Sequence, residues 1–404
     1  MQASPIMQLF ESDLMVLPKA LGGTDVRIFL QAFFERYQRG LDDLGGEVGR
    51  AVRPKRTLIL LLCKSIISAL TAAVDGVSFE PAIQLLDEGL EVVREDLLHV
   101  ARKNEHTVLK GQSLYRLRRS PDKLRHRREM FHAPFGARES APTRYSLRHS
   151  PCLYLANSIY TCWTECRLPD IESCTPVRLR EIYASRFELK PNTKVLDMCY
   201  PPWAVSMALR NYEEDMKILG LDLEKFGLAE SPIGPDAEDR AQYLTSYLTV
   251  WPISLAISLL VQGESDGKKP EYVIPQILMA WVQKSTDFAG IRYFSTRECA
   301  GNSNYDYAID YAFPAKSSGR GGRCDFLRSI FRCTKPLAFG AIQEADITKH
   351  LGPENFTLAE SKFRRYIIVY EKHGIQHFDH YYGTLYCNME YHLDDLDPEA
   401  IEDR

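Results

Sequence analysis

The sequence predicts an α+β protein in which a helical N-terminal bundle, residues 1–108, precedes a mixed α/β body, residues 109–404. Three observations carry that prediction. The first hundred residues repeat apolar side chains at steps of three and four, the period of helices with one buried face. After His106 the texture changes to short apolar or alternating runs, the pattern of strands. Those runs do not alternate with helices at regular βαβ spacing, so a mixed sheet is expected rather than a doubly wound one.

The elements follow in order. Thr24-Asp25 can cap a helix whose stripe runs Val26, Leu30, Phe33, Tyr37, Leu41, Leu44, and Gly45-Gly46 ends it. A second helix is predicted over Thr57 to Val74. A third starts after Ser78 and continues through Ile83, Leu86, Leu90, Val93, Leu97 and Val100. Short connections between them suggest a small bundle. Strands are predicted over Leu109–Leu117, Cys152–Ala156, 184–189, 194–198, 291–295, 338–342 and 365–370. Helices are predicted over Ser158–Arg167, Ala204–Leu219, Ala241–Leu260 and Ile274–Lys284. The Gly-rich run 317–323 reads as a flexible loop, and the acidic C-terminal tail as disordered or loosely attached.

Composition sets the class. Hydrophobic residues make up 45% and charged residues 26%, as in ordinary globular proteins. A formal net charge of −4 argues for neither nucleic acid nor a membrane surface as partner. The charge is unevenly spread, however. Between Arg116 and Arg148 ten Lys/Arg stand against three Asp/Glu, whereas Glu390 to Arg404 holds seven acids and one base. A basic stripe in a near-neutral chain suits either a solvated face or an anionic ligand, phosphates being the usual one. The ten cysteines form no CxxC pair, and Cys162-x₃-Cys166 has no second half, so no metal site is expected. Without a signal peptide at MQASPIMQLFESDL, reduced thiols and a cytoplasmic location are expected. The longest apolar stretch, Leu58 to Val74, is interrupted by Lys64 and reads as a buried helix rather than a membrane span.

The standard catalytic signatures are absent. There is no Gly-rich phosphate loop with its lysine, no HExxH and no GxSxG elbow. Arg102 and His106 are one residue too close for the HEPN ribonuclease spacing, and Arg127-x₄-His132, which has a ribonuclease-like spacing, reads as coincidence.

What remains is an ordered set of segments. Leu114-Tyr-Arg116 comes first, then Phe131-His-Ala-Pro-Phe-Gly-Ala-Arg, Arg144-Tyr-Ser, Leu153-Tyr-Leu-Ala and Cys162-Trp-Thr-Glu165. Tyr272-Val-Ile-Pro-Gln-Ile-Leu and Gly290-Ile-Arg-Tyr-Phe-Ser295 follow. In this order and near this spacing, the set resembles the RES domain family over roughly residues 109 to 340. Thr143-Arg144-Tyr145 departs from the glycine and tryptophan that often flank the family's second arginine. The helical N-terminal region and the long insertions between 170 and 270 are also additions to the minimal pattern. The resemblance implies a fold similar to ADP-ribosylating toxins and cleavage of the nicotinamide–ribose bond of NAD⁺ by water or phosphate. NAD⁺ would be a substrate, and no cofactor is implied. The residues it carries over are Arg116, Arg144, Tyr154, Glu165 and Ser295.

These residue types suit that chemistry. Breaking the bond develops positive charge on the ribose, which a fixed carboxylate such as Glu165 stabilises best where water is excluded. Guanidinium forks match phosphate oxygens, a role for Arg116 and Arg144. Tyr154 could stack on nicotinamide or bond the ribose, and Ser295 could hold the ribose or orient the nucleophile, with His132 as a site wall. Taken one at a time, each residue reads more simply as a surface pair or a core residue; only the ordered combination reverses this.

The leading expectation is therefore an NAD⁺ glycohydrolase or phosphorylase acting as an intracellular toxin or anti-phage effector. A restraining antitoxin, an activating protein or homo-oligomerisation is compatible with it. Two alternatives stay open: an ADP-ribosyltransferase acting on a macromolecule, with the Arg125–Arg128 run as an acceptor surface, and a non-catalytic module that senses a nucleotide.

Overall fold

The computed structural model describes residues 5–76, 78–108, 113–136, 143–147, 150–169, 171–199, 202, 205, 237–260, 269–296, 308–342, 367–372, 375–381 and 384–402. The N-terminal region is helical: α1 (Pro5–Glu11), α2 (Val26–Asp42), α3 (Gly46–Val52), α4 (Arg56–Asp75), α5 (Glu80–Val92) and α6 (Arg94–Val108). Asp25 caps α2 by accepting from Arg27 N at 2.8 Å, and the expected stripe from Val26 to Leu41 is buried. The third expected helix is broken in two. Val93 leaves helical geometry at φ −110°, so α5 and α6 meet at an angle while the apolar stripe continues through Leu97 and Val100.

These helices do not close a core by themselves. Their buried residues join those of α9 (Ala237–Ala256) and α10 (Val273–Lys284) in one apolar cluster, which reaches the sheet at Ile291, Tyr293 and Ala312. Polar ties reinforce this packing. Tyr37 Oη donates to Leu248 O at 2.6 Å, Trp251 Nε1 donates to Leu14 O at 3.1 Å, and buried Asp96 accepts from Ser246 Oγ at 2.9 Å. The stretch Val48–Asp75, which contains α4, is long and apolar enough to cross a membrane, with a mean hydropathy of 2.1. One side of α4, built from Ile59, Leu62, Ile66, Ala69 and Leu70, is fully buried in this cluster, as in a core helix.

The sheet contains β1 (Leu114–Arg119), β2 (Cys152–Ala156), β3 (Ile182–Leu189), β4 (Val195–Asp197), β5 (Gly290–Phe294), β6 (Ile309–Pro314), β7 (Phe331–Cys333), β8 (Leu337–Ala338) and β11 (Glu399–Ala400). Its order is β11-β7-β3-β1-β2-β6-β5-β4, with β8 also on β3, and only β4–β5 pair in parallel. This is the mixed sheet expected. Gly290 is required where β5 meets β6, because a Cβ there would lie 2.7 Å from Ala312 O and 2.4 Å from the Phe313 ring. Beneath one face lie α7 (Ile159–Glu165) and α12 (Leu385–Asp394), packed on Tyr115, Leu117, Ala156 and Ala184. On the other face Leu153, Leu155, Phe187, Phe294 and Phe313 pack with Met130, Phe131 and Leu327, the last on α11 (Asp325–Ile330). The remaining short helix is α8 (Pro176–Arg180), and β9 (Ile367–Lys372) and β10 (Ile375–His380) form a separate hairpin.

Several expectations are corrected. Of 338–342, only Ala338 is strand, and residues 339–341 form a tight helical turn. The run 317–323 is ordered: Gly319 N donates to Arg323 O at 2.7 Å, and Gly321 and Gly322 take left-handed φ values of +65° and +70°. The acidic tail is docked. β11 pairs with β7, and Arg127 receives Glu399 at 2.8 Å and Glu402 at 3.0 Å. Acids in a row look solvated in sequence; here a buried cation from a distant segment collects them. The expected helix at 204–219 falls outside the described residues except for Val205, as does part of the strand expected from Leu109.

Candidate functional site

The central strands and α7 bring two of the expected residues together. α7 starts just after β2. Ser158 caps it by accepting from Thr161 N at 3.0 Å, and Asn157 ties the crossover to β6 through Ile309. The first helical amide, Ile159 N, donates to Glu390 Oε1 at 2.8 Å, and Tyr381 Oη donates to the same oxygen. A carboxylate at a helix N-terminus complements its dipole and satisfies an otherwise orphaned donor. Trp163 packs its ring against Phe339 and Tyr386 and donates from Nε1 to Pro169 O at 2.9 Å. Glu165 ends the helix, half-buried.

Ser295 follows β5, fully buried, and its amide donates to Ala308 O at 2.8 Å. Its hydroxyl donates to Glu165 Oε1 at 2.6 Å. A carboxylate and a hydroxyl 130 residues apart thus meet at the ends of adjacent elements.

Around this pair lies a polar group on the same sheet face. Tyr293 and Asp310 are register partners on β5 and β6, and Ala156 pairs with Asp310 from the other side. Burial, with Asp310, Glu165, Tyr154 and Tyr145 adding to it, pushes the Tyr293 phenol well above its ordinary range. The Tyr145 ring lies 4.1 Å from that of Tyr293. Its hydroxyl is buried next to Arg144, which acts on it by charge and hydrogen bonding.

Arg144 is buried, and Nη2 donates to Ile257 O at 2.5 Å and Leu259 O at 2.9 Å, just beyond the end of α9. Its Nε and Nη1 are buried without partners. Unpaired buried donors cost roughly 1–3 kcal/mol each, and Arg144, which acts on the Tyr145 hydroxyl by charge and hydrogen bonding, keeps donor capacity suited to an acceptor. The Tyr154 hydroxyl is spent within the protein. It bonds Thr143 Oγ1, donates to Ser146 Oγ at 3.2 Å and accepts from Tyr145 N at 3.2 Å, bracing the turn that carries Arg144.

Arg116 sits on β1 where the sheet parts. β1 pairs with β3 along its whole length but meets β2 at the single register pair Tyr115–Ala156. Burial pushes its guanidinium down to about 10; Cys166, next to Glu165, pulls it up, and Arg118 and Arg323 push it further down. Its Nη1 is buried and unpartnered. His132 is wholly buried, with Nδ1 2.6 Å from Ala133 O and Nε2 accepting from Cys324 N at 2.9 Å. It pins a loop rather than lining an open wall. Arg127 and His132 are each committed elsewhere, so their spacing carries no ribonuclease chemistry.

Sequence reasoning missed Tyr145, Tyr293, Asp310 and Arg323. The tyrosines lay inside quoted segments and looked like core; Asp310 stood alone in an apolar strand. Among the described residues no group of three His, Cys, Asp or Glu side chains converges as metal ligands.

No protein-family model matches the chain, and no solved structure matches it. The chain is 25% identical over 349 residues, 85% of its length and 72% of the relative's, to a Bacillus subtilis (strain 168) protein named "Putative toxin YopC".

Proposed function

We propose that this chain is an NAD⁺-consuming toxin of the RES type that cleaves the bond between nicotinamide and ribose. The observation that carries the reading is the 2.6 Å bond from Ser295 Oγ to Glu165 Oε1, which joins the two residues chosen for the reacting centre. The resemblance to the RES family supports the chemistry, and the name of the Bacillus subtilis relative supports the toxin role.

In this reading the C1′–N bond breaks with its electron pair going to the pyridine ring, so nicotinamide leaves neutral. Glu165 faces the positive charge that develops on the ribose. Ser295 fixes the orientation of that carboxylate, so little reorganisation is needed as charge appears. Water or phosphate then bonds to C1′, and water releases a proton as it does so. The polar recess at Arg144 and Tyr145 would receive an acceptor group of the substrate.

The test is incubation of NAD⁺ with the purified protein, with and without phosphate, followed by product identification. Free nicotinamide with ADP-ribose, or with its phosphate ester when phosphate is present, is expected. A covalently labelled macromolecule would favour the transferase alternative, and nucleotide binding without turnover the sensing alternative. Intact NAD⁺ and no bound nucleotide under all activating conditions would overturn the reading.

A further inference from the structure

A second concentration of positive charge lies on the opposite sheet face, around Arg323. The Gly319–Arg323 turn is fixed by internal bonds and two ties to the 132–135 segment. Phe135 N donates to Gly322 O at 2.8 Å, Gly322 N donates to Gly319 O at 3.2 Å, and Cys324 N donates to His132 Nε2 at 2.9 Å. Gly322 has a left-handed φ and comes so close to Pro134 that a Cβ would lie 3.2 Å from it. The turn therefore presents Arg323 from a fixed backbone.

Arg323 Nη1 is buried and has no hydrogen-bond partner, and the same holds for Arg116 Nη1. The leading charges acting on Arg323 are the guanidinium groups of Arg118, Arg328 and Arg128, of which Arg328 is itself paired with Asp325 at 3.4 Å. Burial first, and then those neighbours, push Arg323 down to about 10. His132, between the two segments, feels both Arg323 and Arg116 and is pushed down to about 4, burial being the main cause. Half-buried guanidinium groups that repel one another and each keep a buried donor unused suit an anion. Arg116 lies where β1 and β2 part, and Cys166, just past the end of α7, is among the groups acting on it.

We infer that Arg323 and Arg116 together form a phosphate subsite, with Arg323 a substrate-binding residue that takes over the role expected of Arg144. Resting on the NAD⁺ reading, the inference gives the dinucleotide's pyrophosphate to this recess. Arg144, with Nη2 already committed to two carbonyls, stays at the opposite face near the tyrosines. Two planar forks, one from β1 and one from the Gly-rich turn, match a group with several equivalent oxygens better than a single carboxylate.

The experiment uses the full chain and three variants: Arg323→Gln, Arg323→Lys and, as a control in the same basic stripe, the exposed Lys123→Gln. Inorganic pyrophosphate and inorganic phosphate are the probes, read by calorimetry and thermal shift, together with kcat and KM for NAD⁺. Pyrophosphate is expected to bind and to raise the melting temperature of the wild type and of Lys123→Gln. Arg323→Gln is expected to weaken binding about 10- to 100-fold, from the loss of a charge-assisted pair, and to abolish the thermal shift. Arg323→Lys should recover part of it. KM should rise by a similar factor while kcat stays within about threefold, the signature of lost uniform binding. Without an anion, Arg323→Gln should melt no lower than the wild type, since a repelling charge has gone; this separates lost binding from misfolding. Preference for pyrophosphate assigns the recess to the dinucleotide, and equal binding of phosphate assigns it to the free anion. If NAD⁺ is never cleaved yet pyrophosphate binds in an Arg323-dependent way, the subsite stands and the enzymatic reading falls. If NAD⁺ is cleaved but Arg323→Gln changes neither pyrophosphate binding nor KM, or changes them no more than Lys123→Gln, the inference is overturned.

Discussion

At the scale of single residues, the site depends on how buried polar groups are matched. Ser295 and Glu165 form one unit, so their contributions to turnover should not add. Ser295→Ala is expected to lower kcat about tenfold, the order of one lost hydrogen bond to a charged group. In a background lacking Glu165, the same change should do almost nothing. Full additivity in a double-mutant cycle would show that the two act separately. His132 sets a pH dependence. Its proton-free form accepts from Cys324 N, and burial holds its pKa down at about 4 against an ordinary 6.5. The unfolded chain therefore takes up a proton as pH falls through 6.5, whereas the folded chain does so only near 4. Stability contributed above pH 6.5 is lost progressively between those values, by about 3 kcal/mol. His132→Gln keeps an acceptor for Cys324 N but does not titrate, so its melting temperature should fall less between pH 6.5 and 4 than that of the wild type. Equal slopes would contradict this assignment.

At the scale of elements, the helix that ends in Glu165 is positioned by the C-terminal segment. Glu390 on α12 holds the first amide of α7, and Arg127 anchors β11 through Glu399 and Glu402 and also donates to Cys333 O at 2.9 Å. Arg127→Ala is expected to cost about 1–3 kcal/mol, since Cys333 O would lose its buried donor while Glu399 and Glu402 stay solvated. It should also expose the segment after α12 to limited proteolysis, and an unchanged cleavage pattern would count against tail docking. The helices were legible because their signal is local. The stripe from Val26 to Leu41 and the cap at Asp25 need no knowledge of the rest of the chain. The break at Val93 was not legible, because the apolar spacing continues across it. The tail and the Gly-rich turn were misread for a related reason: Arg127, His132 and Phe135 hold them from far away in the sequence. Of the site, Glu165 and Ser295 could be picked out only through the ordered segments, since neither stands out alone. Arg323 went unseen because glycine neighbours look like flexibility until the contacts of the turn are known.

At the scale of the whole molecule, the N-terminal helices and the sheet share one apolar cluster through α9 and α10. Removing residues 1–108 would expose the buried faces of both helices, including Leu248, Trp251, Ile277 and Leu278. Apolar surface returned to water costs about 25 cal/mol per Å² and invites association. The fragment 109–404 is therefore expected to be aggregated or unfolded when expressed alone, and size-exclusion chromatography reads this directly. A monomeric, folded fragment would show instead that the helices are an accessory. The basic recess, the acidic tail and the paired site residues give this near-neutral chain a polarity that net charge alone hides. The proposed chemistry rests on Glu165 stabilising the charge formed when nicotinamide leaves NAD⁺. Its most direct measurement is the rate of nicotinamide release by wild type and by Glu165→Gln, with melting curves to establish that both are folded. A loss of about 10² to 10³ in rate with little change in melting temperature is expected; equal rates from two folded proteins would rule out that role for Glu165.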